Sequence, residues 1–257
     1  MTYNQISLNQ DDTWAEIVLN NPAKRNPLSV DTMAELTDAL QTIAAGRSKA
    51  VVLKSTGPVF CSGHNFHDMA GQDLAHLRQL MQACSDMMQR IHQLPQPVIA
   101  SVQGPAIGAG CQLALTCDLV VASDQASFRT PGNQGGWFCL TPMVAVTRAV
   151  GRKRALEMLL AGDPIPAELA AEWGMVNRVV PPERLEAETE DLLARISRGS
   201  RYMVGIGKQA FYTQVELDEA RAYQYATELM AATGSMPDPQ ERMLAFVEKR
   251  PRRAIQS

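Results

Sequence analysis

The sequence has no excess of positive charge. Its 257 residues include 24 Lys and Arg against 27 Asp and Glu, which gives a net charge of −3. Because nucleic-acid-binding domains usually carry a basic face, this balance excludes a broad nucleic-acid surface, and we expect no nucleic-acid partner. Two short basic clusters, 152–154 and 249–253, are better explained as solvated or ligand-facing charge. RNA binding stays open only as an alternative that salt-dependent retention of RNA would reveal.

The sequence also lacks a cysteine pattern of the disulfide or metal-binding type. The five cysteines are odd in number and no two form a C-x-x-C pair, which favours a reduced chain whose cysteines are mostly buried. Residues 1–12 contain neither the basic nor the apolar segment of a secretory signal. We therefore expect a cytoplasmic protein.

No uninterrupted apolar run indicates a membrane span. The stretch 91–117 has no charged residue and is longer than the roughly 20 residues that cross a bilayer. Prolines and glycines interrupt it, among them Pro95, Pro97, Gly104 and Pro105. We interpret the stretch as buried core and expect no membrane partner.

No metal-binding or nucleotide-binding motif is complete. The Gly-Ala-Gly turn at 108–110 is followed by Leu113, where a dinucleotide loop has its third glycine. His64 and His67 have the spacing of paired ligands, but no third and fourth ligand follows at a convincing spacing. We expect no metal and no covalently bound cofactor.

Strand patterns alternate with helix patterns over the first part of the chain, which predicts an α/β fold with mostly parallel strands. The predicted strands are 13–19, 50–53, 98–102 and 118–122, and the predicted helices are 29–45, 74–94 and a short one from about Ala109. From residue 141 onward we expect the chain to be mainly helical, with a short strand at 175–180 as the exception. We predict a core domain over 1–198 and a C-terminal helical region over 199–257. This helical region either mediates oligomerisation or covers the core.

Two segments carry the chemistry. Residues 59–69, VFCSGHNFHDM, follow a buried strand with a glycine-containing loop. Residues 100–118, ASVQGPAIGAGCQLALTCD, run from a strand through a glycine-rich turn into a helix. The first N–H groups of a helix have no partner inside it and carry the positive end of its dipole. An oxyanion placed at that turn would therefore be stabilised.

These two segments identify the chain as similar to the enoyl-CoA hydratase/isomerase (crotonase) superfamily. Further matches run over nearly the whole length, at NNPAKRNPLS, FRTPGNQGG, AVGRKRALEMLLAGDPI, AELAAEWGMVNRVVP and AFVEKR. The resemblance implies the crotonase spiral of ββα units with a C-terminal helical region that forms trimers or dimers of trimers. It implies an acyl-CoA thioester ligand, with coenzyme A entering as part of the substrate.

The resemblance also assigns residues. It implies that the main-chain N–H groups of His64 and Ala109 hold the thioester oxygen as an oxyanion hole. Contacts to coenzyme A are implied at Ala23, Lys24, Ser62, Asn65 and Phe66, with Lys249 near the nucleotide phosphates.

The pattern departs from the family where proton transfer is carried out. The two positions that hold catalytic glutamates in the family are Gln112 and Gly132, and a third acidic position used by dienoyl isomerases is Leu140. General acid–base catalysis is worth about 10²–10⁴-fold per group, so we expect hydratase activity to be weak or absent. Restoring glutamate at both 112 and 132 should raise it if the rest of the site is intact.

Two alternatives stay open beside a weak hydratase or isomerase. One is a non-catalytic acyl-CoA binder, and the other is a decarboxylase that needs only enolate stabilisation. Members of the superfamily that decarboxylate share the Gly-His pair at 63–64, but Phe138 stands where they have a tyrosine. A divergent subgroup shares STGPVFCSGH, AGCQL and TPG with this chain and also lacks the glutamates. Substitute chemistry could come from a few neighbours, namely Cys111, Asn133, Gln134, Trp137 and Cys139, although packing roles explain the two cysteines better.

Overall fold

A computed structural model describes residues 2–253 of the chain. Within that range the strands are β1 (Ile6–Gln10), β2 (Trp14–Leu19), β3 (Ala50–Ser55), β4 (Val98–Val102), β5 (Ala106–Ile107), β6 (Leu119–Ser123), β7 (Ser127–Arg129), β8 (Ile165–Pro166) and β9 (Arg178–Val180). The α-helices are α1 (Val30–Ala45), α2 (Leu74–Gln93), α3 (Ala109–Thr116), α4 (Leu140–Ala149), α5 (Arg152–Ala161), α6 (Ala167–Trp173), α7 (Leu185–Ile196), α8 (Arg201–Gln214), α9 (Glu219–Gly234) and α10 (Pro237–Val247).

The larger sheet has six strands in the order β1-β2-β3-β4-β6-β9. β1 and β2 form an antiparallel hairpin, and every later neighbour in this sheet is parallel. The prediction of an α/β core with mostly parallel strands is therefore confirmed. Loops that follow parallel strands meet at one edge of the sheet, which is where α/β proteins place their sites.

Both faces of this sheet are covered, which explains why strand β3 is a continuous apolar run. Val51 and Leu53 belong to the main core, which also holds the buried faces of α1 and α2. Ala50 and Val52, on the opposite face, pack in a second cluster with Leu185 and Leu193 of α7. The alternation follows from the two-residue period of a strand.

The helices begin and end where their sequence signals lie. The Ser29 side chain accepts a hydrogen bond from the Thr32 N–H at the start of α1, and Gly46 follows its last residue. The Asp73 carboxylate accepts from the His76 N–H at the start of α2, which ends at Gln93, two residues before Pro95. A side-chain oxygen at this position satisfies an N–H group that the helix leaves free.

A second sheet was not predicted. It has three strands in the order β5-β7-β8, and each has only two or three residues. Such short strands show no period in a sequence window. The stretch from residue 141 onward is mainly helical, as expected, but it also holds β8, and the strand predicted over 175–180 begins only at Arg178.

The chain divides into two compact units, the first ending at Gly205 and the second beginning at Ile206. The predicted division after residue 198 lies in the turn before α8, whereas the observed one falls inside that helix. In the range 2–253, no helix combines the length and the apolar character needed to cross a bilayer.

Candidate active site

Two loops at the carboxyl edge of the large sheet are joined by main-chain hydrogen bonds. The loop after β3 donates from the Phe60 N–H to the Pro105 carbonyl at 3.1 Å. In return, the Ile107 N–H of β5, the short strand after β4, donates to the Cys61 carbonyl at 2.9 Å. These bonds bring the two segments singled out in the sequence into one place.

Gly63 allows the two loops to approach further. A Cβ atom at this position would lie 2.8 Å from the Ile107 carbonyl oxygen and 3.2 Å from the Ala109 nitrogen. Its φ of 90° also lies in the region that other residues adopt only with strain. The residue after Gly63 is His64, so the main chain of His64 lies directly beside the start of α3.

The two main-chain N–H groups that sequence analysis assigned to an oxyanion hole are free. Neither the His64 N–H nor the Ala109 N–H donates to any residue between 2 and 253. Ala109 is the first residue of α3, and Gly108 before it has no side chain to cap the helix. Two adjacent free donors at a helix start can hold an oxygen that gains negative charge.

Arg129 supports this loop and was missed from the sequence. Its carbonyl accepts a 2.9 Å hydrogen bond from the Gly108 N–H, which anchors the turn ahead of α3. Its guanidinium donates to the Gln134 side chain at 3.1 Å, while its Nε is buried with no partner in the described chain. A main-chain contact of this kind leaves no signal in residue type, so the sequence could not reveal it.

Gln112 occupies the first family glutamate position, and its side chain is buried. It lies in the first turn of α3, its main-chain N–H donates to the Gly108 carbonyl, and its side chain is only 5% exposed. Its Oε1 is buried without a hydrogen-bond partner among residues 2–253. Buried polar atoms are normally paired, so this acceptor indicates a place for a group that the chain itself does not supply.

The imidazole of His64 has the same property. Both ring nitrogens are closed to solvent, and neither has a partner of hydrogen-bond geometry in the described residues. Burial lowers the pKa of this imidazole below its ordinary value, while the Leu28 main chain, which approaches the ring without reaching hydrogen-bond geometry, raises it by less. The ring is therefore neutral near pH 7.

The second family glutamate position, Gly132, is closed. A Cβ atom here would overlap the Trp137 carbonyl oxygen and lie 2.8 Å from the Cys139 sulfur. The Trp137 N–H also donates to the Gly132 carbonyl at 2.8 Å, which folds the loop back on itself. The expectation that glutamate could be restored at both positions is wrong for Gly132, because the main chain now fills the space that a side chain needs. Leu140, the third position, is the exposed first residue of α4.

The other neighbours offer no ready substitute for a glutamate. Burial raises the pKa of both the Cys111 and the Cys139 thiols, so both stay protonated at neutral pH. Asn133 and Gln134 donate to the Leu160 and Ala161 carbonyls at the end of α5. These bonds hold the loop that contains Asn133 and Gln134 against the end of α5.

Most residues expected to contact coenzyme A lie close together. Ala23 and Lys24 are in an exposed one-turn helix, and the Ser62 N–H donates to the carbonyl of Arg25, which follows it. The Asn65 side chain accepts from the His67 N–H and donates to Asp68, so it is already used in its own turn. Phe66 is 73% exposed.

Lys249 lies apart in the sequence, in the second unit after α10, with a φ of 53°. Its proximity to a nucleotide stays a prediction. Across residues 2–253, no group of three or more His, Cys, Asp or Glu side chains could hold a metal ion.

Comparisons with known proteins agree with this geometry. A model of the family "Enoyl-CoA hydratase/isomerase" matches residues 9–254. The mitochondrial enoyl-CoA hydratase domain-containing protein 3 of Mus musculus is 43% identical over 95% of this chain and 82% of its own length, and the human protein of that name is 42% identical over 95% and 81%.

Solved structures give the same result. The crystal structure of human enoyl-CoA hydratase domain-containing protein 3 superposes with a TM-score of 0.94 at 40% identity, covering 98% of this chain and all of that one. The structure of an enoyl-CoA hydratase from Mycobacterium smegmatis also gives a TM-score of 0.94 at 40% identity, covering 97% and 98%. The expected crotonase fold is confirmed. Since the family model spans nearly the whole sequence, this chain belongs to the enoyl-CoA hydratase/isomerase family and resembles its domain-containing protein 3 subgroup.

Proposed function

We propose that this protein binds acyl-CoA thioesters and polarises the thioester carbonyl with the N–H groups of His64 and Ala109. The observation that carries the proposal is that both N–H groups are free and adjacent at the uncapped start of α3. Donors of this kind stabilise the enolate or oxyanion form of a thioester, and removing one typically costs about 3–4 kcal/mol of transition-state stabilisation.

Hydration of an enoyl thioester is slow or absent in this proposal. It needs a group that gives a proton and a group that takes one, and neither Gln112 nor Gly132 can do either near neutral pH. Gln112, in the first turn of α3, carries a carboxamide that does not titrate, and burial keeps the His64 imidazole neutral near pH 7. The site thus keeps the means to stabilise an oxyanion and lacks the carboxylates that would hydrate the double bond.

Coenzyme A lies, in this proposal, along the surface formed by Ala23, Lys24, Ser62, Asn65 and Phe66. An exposed aromatic ring and an exposed lysine suit an adenine and its phosphates. We further propose a homotrimer or a dimer of trimers, because the second unit exposes large apolar side chains such as Met230 and Phe246.

The test combines binding with turnover. Crotonyl-CoA is titrated into the purified protein by calorimetry, and loss of the enone absorbance is then followed. We expect binding with turnover far below that of a glutamate-containing hydratase. Rapid turnover would show that another group moves the proton, and no binding would overturn the proposal. Release of CO₂ from a carboxylated acyl-CoA separates a decarboxylase from a pure binder.

One matched pair of variants tests the hole directly. Ala109→Pro removes the N–H at a helix position where proline is otherwise tolerated, and Ala109→Gly keeps it. We expect Ala109→Pro to lose the extra affinity for acyl-CoA over free coenzyme A, and Ala109→Gly to keep it. Equal affinities in both variants would show that the Ala109 N–H does not contact the thioester.

A further inference from the structure

The peptide unit between Gly63 and His64 carries one of the two proposed oxyanion donors. Its carbonyl, that of Gly63, accepts a 2.8 Å hydrogen bond from the Leu28 N–H. The C=O and the N–H of a trans peptide point in opposite directions, and residues 2–253 contain no cis peptide bond. The His64 N–H therefore points away from Leu28, and the hydrogen bond at Gly63 fixes the direction of this donor.

Two further main-chain hydrogen bonds hold the segment around His64. The Ser62 N–H donates to the Arg25 carbonyl at 3.1 Å, and the Asn65 N–H donates to the Leu28 carbonyl at 3.3 Å. Leu28 and His64 are thereby paired as in a parallel sheet. The orientation of the donor thus depends on where the main chain of Arg25 and Leu28 lies.

One buried side chain, that of Asn26, holds this main chain in place. Its Nδ2 donates to the Thr56 carbonyl at 2.8 Å and to the Val59 carbonyl at 2.9 Å. Its Oδ1 accepts from the Asn21 N–H at 2.9 Å. Both hydrogens of the Nδ2 group are used, so the carboxamide ties its own turn to the loop that follows β3.

Asparagine also suits the backbone conformation at this position. The φ angle is 51° at Asn26 and 64° at Arg25, so two consecutive residues lie in the left-handed region. Asparagine is enriched there among non-glycine residues, because its short side chain can bond to the local backbone. Glycine adopts the same conformation readily but supplies no side-chain hydrogen bond. Conformation and bonding together therefore favour asparagine.

We infer that Asn26 is a positioning residue for the oxyanion hole. Through the main chain of Leu28, it sets the orientation of the Gly63–His64 peptide and so the direction in which the His64 N–H meets the thioester oxygen. This inference rests on the proposed function, in which that N–H and the Ala109 N–H hold the oxygen. Asn26 acts through the backbone and makes no contact with the acyl group in this inference.

The test uses the full chain and butyryl-CoA labelled with ¹³C at its carbonyl carbon. Hydrogen bonds to the carbonyl oxygen polarise the C=O bond and lower its stretching frequency, which isotope-edited infrared spectroscopy measures for the bound ligand. Calorimetry gives the affinities for butyryl-CoA and for free coenzyme A in parallel. We expect the wild-type protein to lower the frequency and to bind butyryl-CoA more tightly than free coenzyme A.

Asn26→Gly keeps the left-handed backbone and removes all three side-chain hydrogen bonds. We expect it to lose most of the frequency shift, and its preference for butyryl-CoA over free coenzyme A to fall roughly fivefold, the worth of one hydrogen bond. The ratio of the two affinities is the decisive quantity, because Ala23 and Lys24 lie in the adjoining turn and binding of coenzyme A itself can weaken.

Asn26→Asp is the second variant. It keeps the size of the side chain and the acceptor for the Asn21 N–H but replaces both donors, so we expect the same losses. Either variant is sufficient for the test if the other does not fold.

Two controls separate positioning from stability. Asn20→Ala removes a neighbouring exposed asparagine whose Oδ1 accepts from the Thr56 hydroxyl. Ile43→Val weakens the buried core under α1 and lowers stability without touching either loop. We expect both to keep the wild-type frequency shift and affinity ratio.

The outcomes separate this inference from the function on which it rests. No binding by the wild type, or a bound carbonyl frequency equal to that of free butyryl-CoA, overturns both. A wild-type shift that the folded Asn26 variants retain overturns the inference and leaves the oxyanion hole standing. Equal loss of the shift in Ile43→Val also overturns it, because lost stability would then explain the effect.

Discussion

The two positions where the family carries glutamates have lost them in different ways. At 112 the carboxylate is replaced by a carboxamide of nearly the same shape, and its buried Oε1 has no hydrogen-bond partner among residues 2–253. At 132 there is no side chain, and main-chain atoms of the 132–139 loop fill the space that one would need. One substitution, Gln112→Glu, can therefore restore the first carboxylate. The second cannot be restored by substitution alone, because backbone atoms occupy the space that a side chain at 132 would need.

The largest expected effect is a loss of stability when a side chain is introduced at Gly132. Gly132→Glu should lower the free energy of unfolding by about 3 kcal/mol or more, because the new side chain must displace backbone rather than a flexible group. Urea unfolding measures it. Gly135→Glu is the matched control, since Gly135 ends the 3-10 turn that Gly132 begins, and a Cβ there would meet nothing within 4 Å. Similar stability for both variants would mean that the loop at 132 opens easily.

The second-largest effect is expected on the rate of hydration when Gln112 is replaced. Gln112→Glu returns a proton-transfer group to a space of the right shape, and should raise hydration of crotonyl-CoA by up to about 10²-fold. Loss of enone absorbance reports it, with Gln112→Met as the control that fills the space without an acid. If both variants stay equally inert, the carboxylate position at 112 is insufficient without the one at 132.

A smaller effect should appear in stability. Gln112→Met removes a buried acceptor that has no partner, so we expect the free energy of unfolding to rise by about 1 kcal/mol. Thermal and urea unfolding check this. A destabilised variant would show that an ordered water or another group pairs with Oε1 in solution.

The smallest effect is a pH dependence that the His64 ring contributes. Burial holds its pKa in the folded chain below the ordinary value of 6.5, so the unfolded chain binds the proton more readily. Stability from this group is full above pH 6.5 and falls as the pH drops toward the lowered pKa. Urea midpoints at pH 7.5 and 5.5 should therefore differ less in His64→Ala than in the wild type, while His67→Ala, at an exposed position, should behave as the wild type does.

Much of the core could be predicted because its signals are local. Ser29 and Gly46 bound α1, Pro95 follows the end of α2, and the apolar run over 50–53 lies in a strand buried on both faces. Each depends on a few neighbouring residues. The short strands β5, β7 and β8 could not be predicted, because long-range pairing rather than local preference creates them.

The sequence by itself determined the family, the two loops that carry the site, and the absence of carboxylates at 112 and 132, because residue identity at a motif position is a local fact. Only the tertiary structure decided that, among residues 2–253, the His64 and Ala109 N–H groups are free and the Gln112 Oε1 and the His64 ring nitrogens are buried without hydrogen-bond partners, and that the space beside Gly132 is filled. Hydrogen-bond satisfaction and free volume are properties of how distant segments pack, and no stretch of sequence contains them.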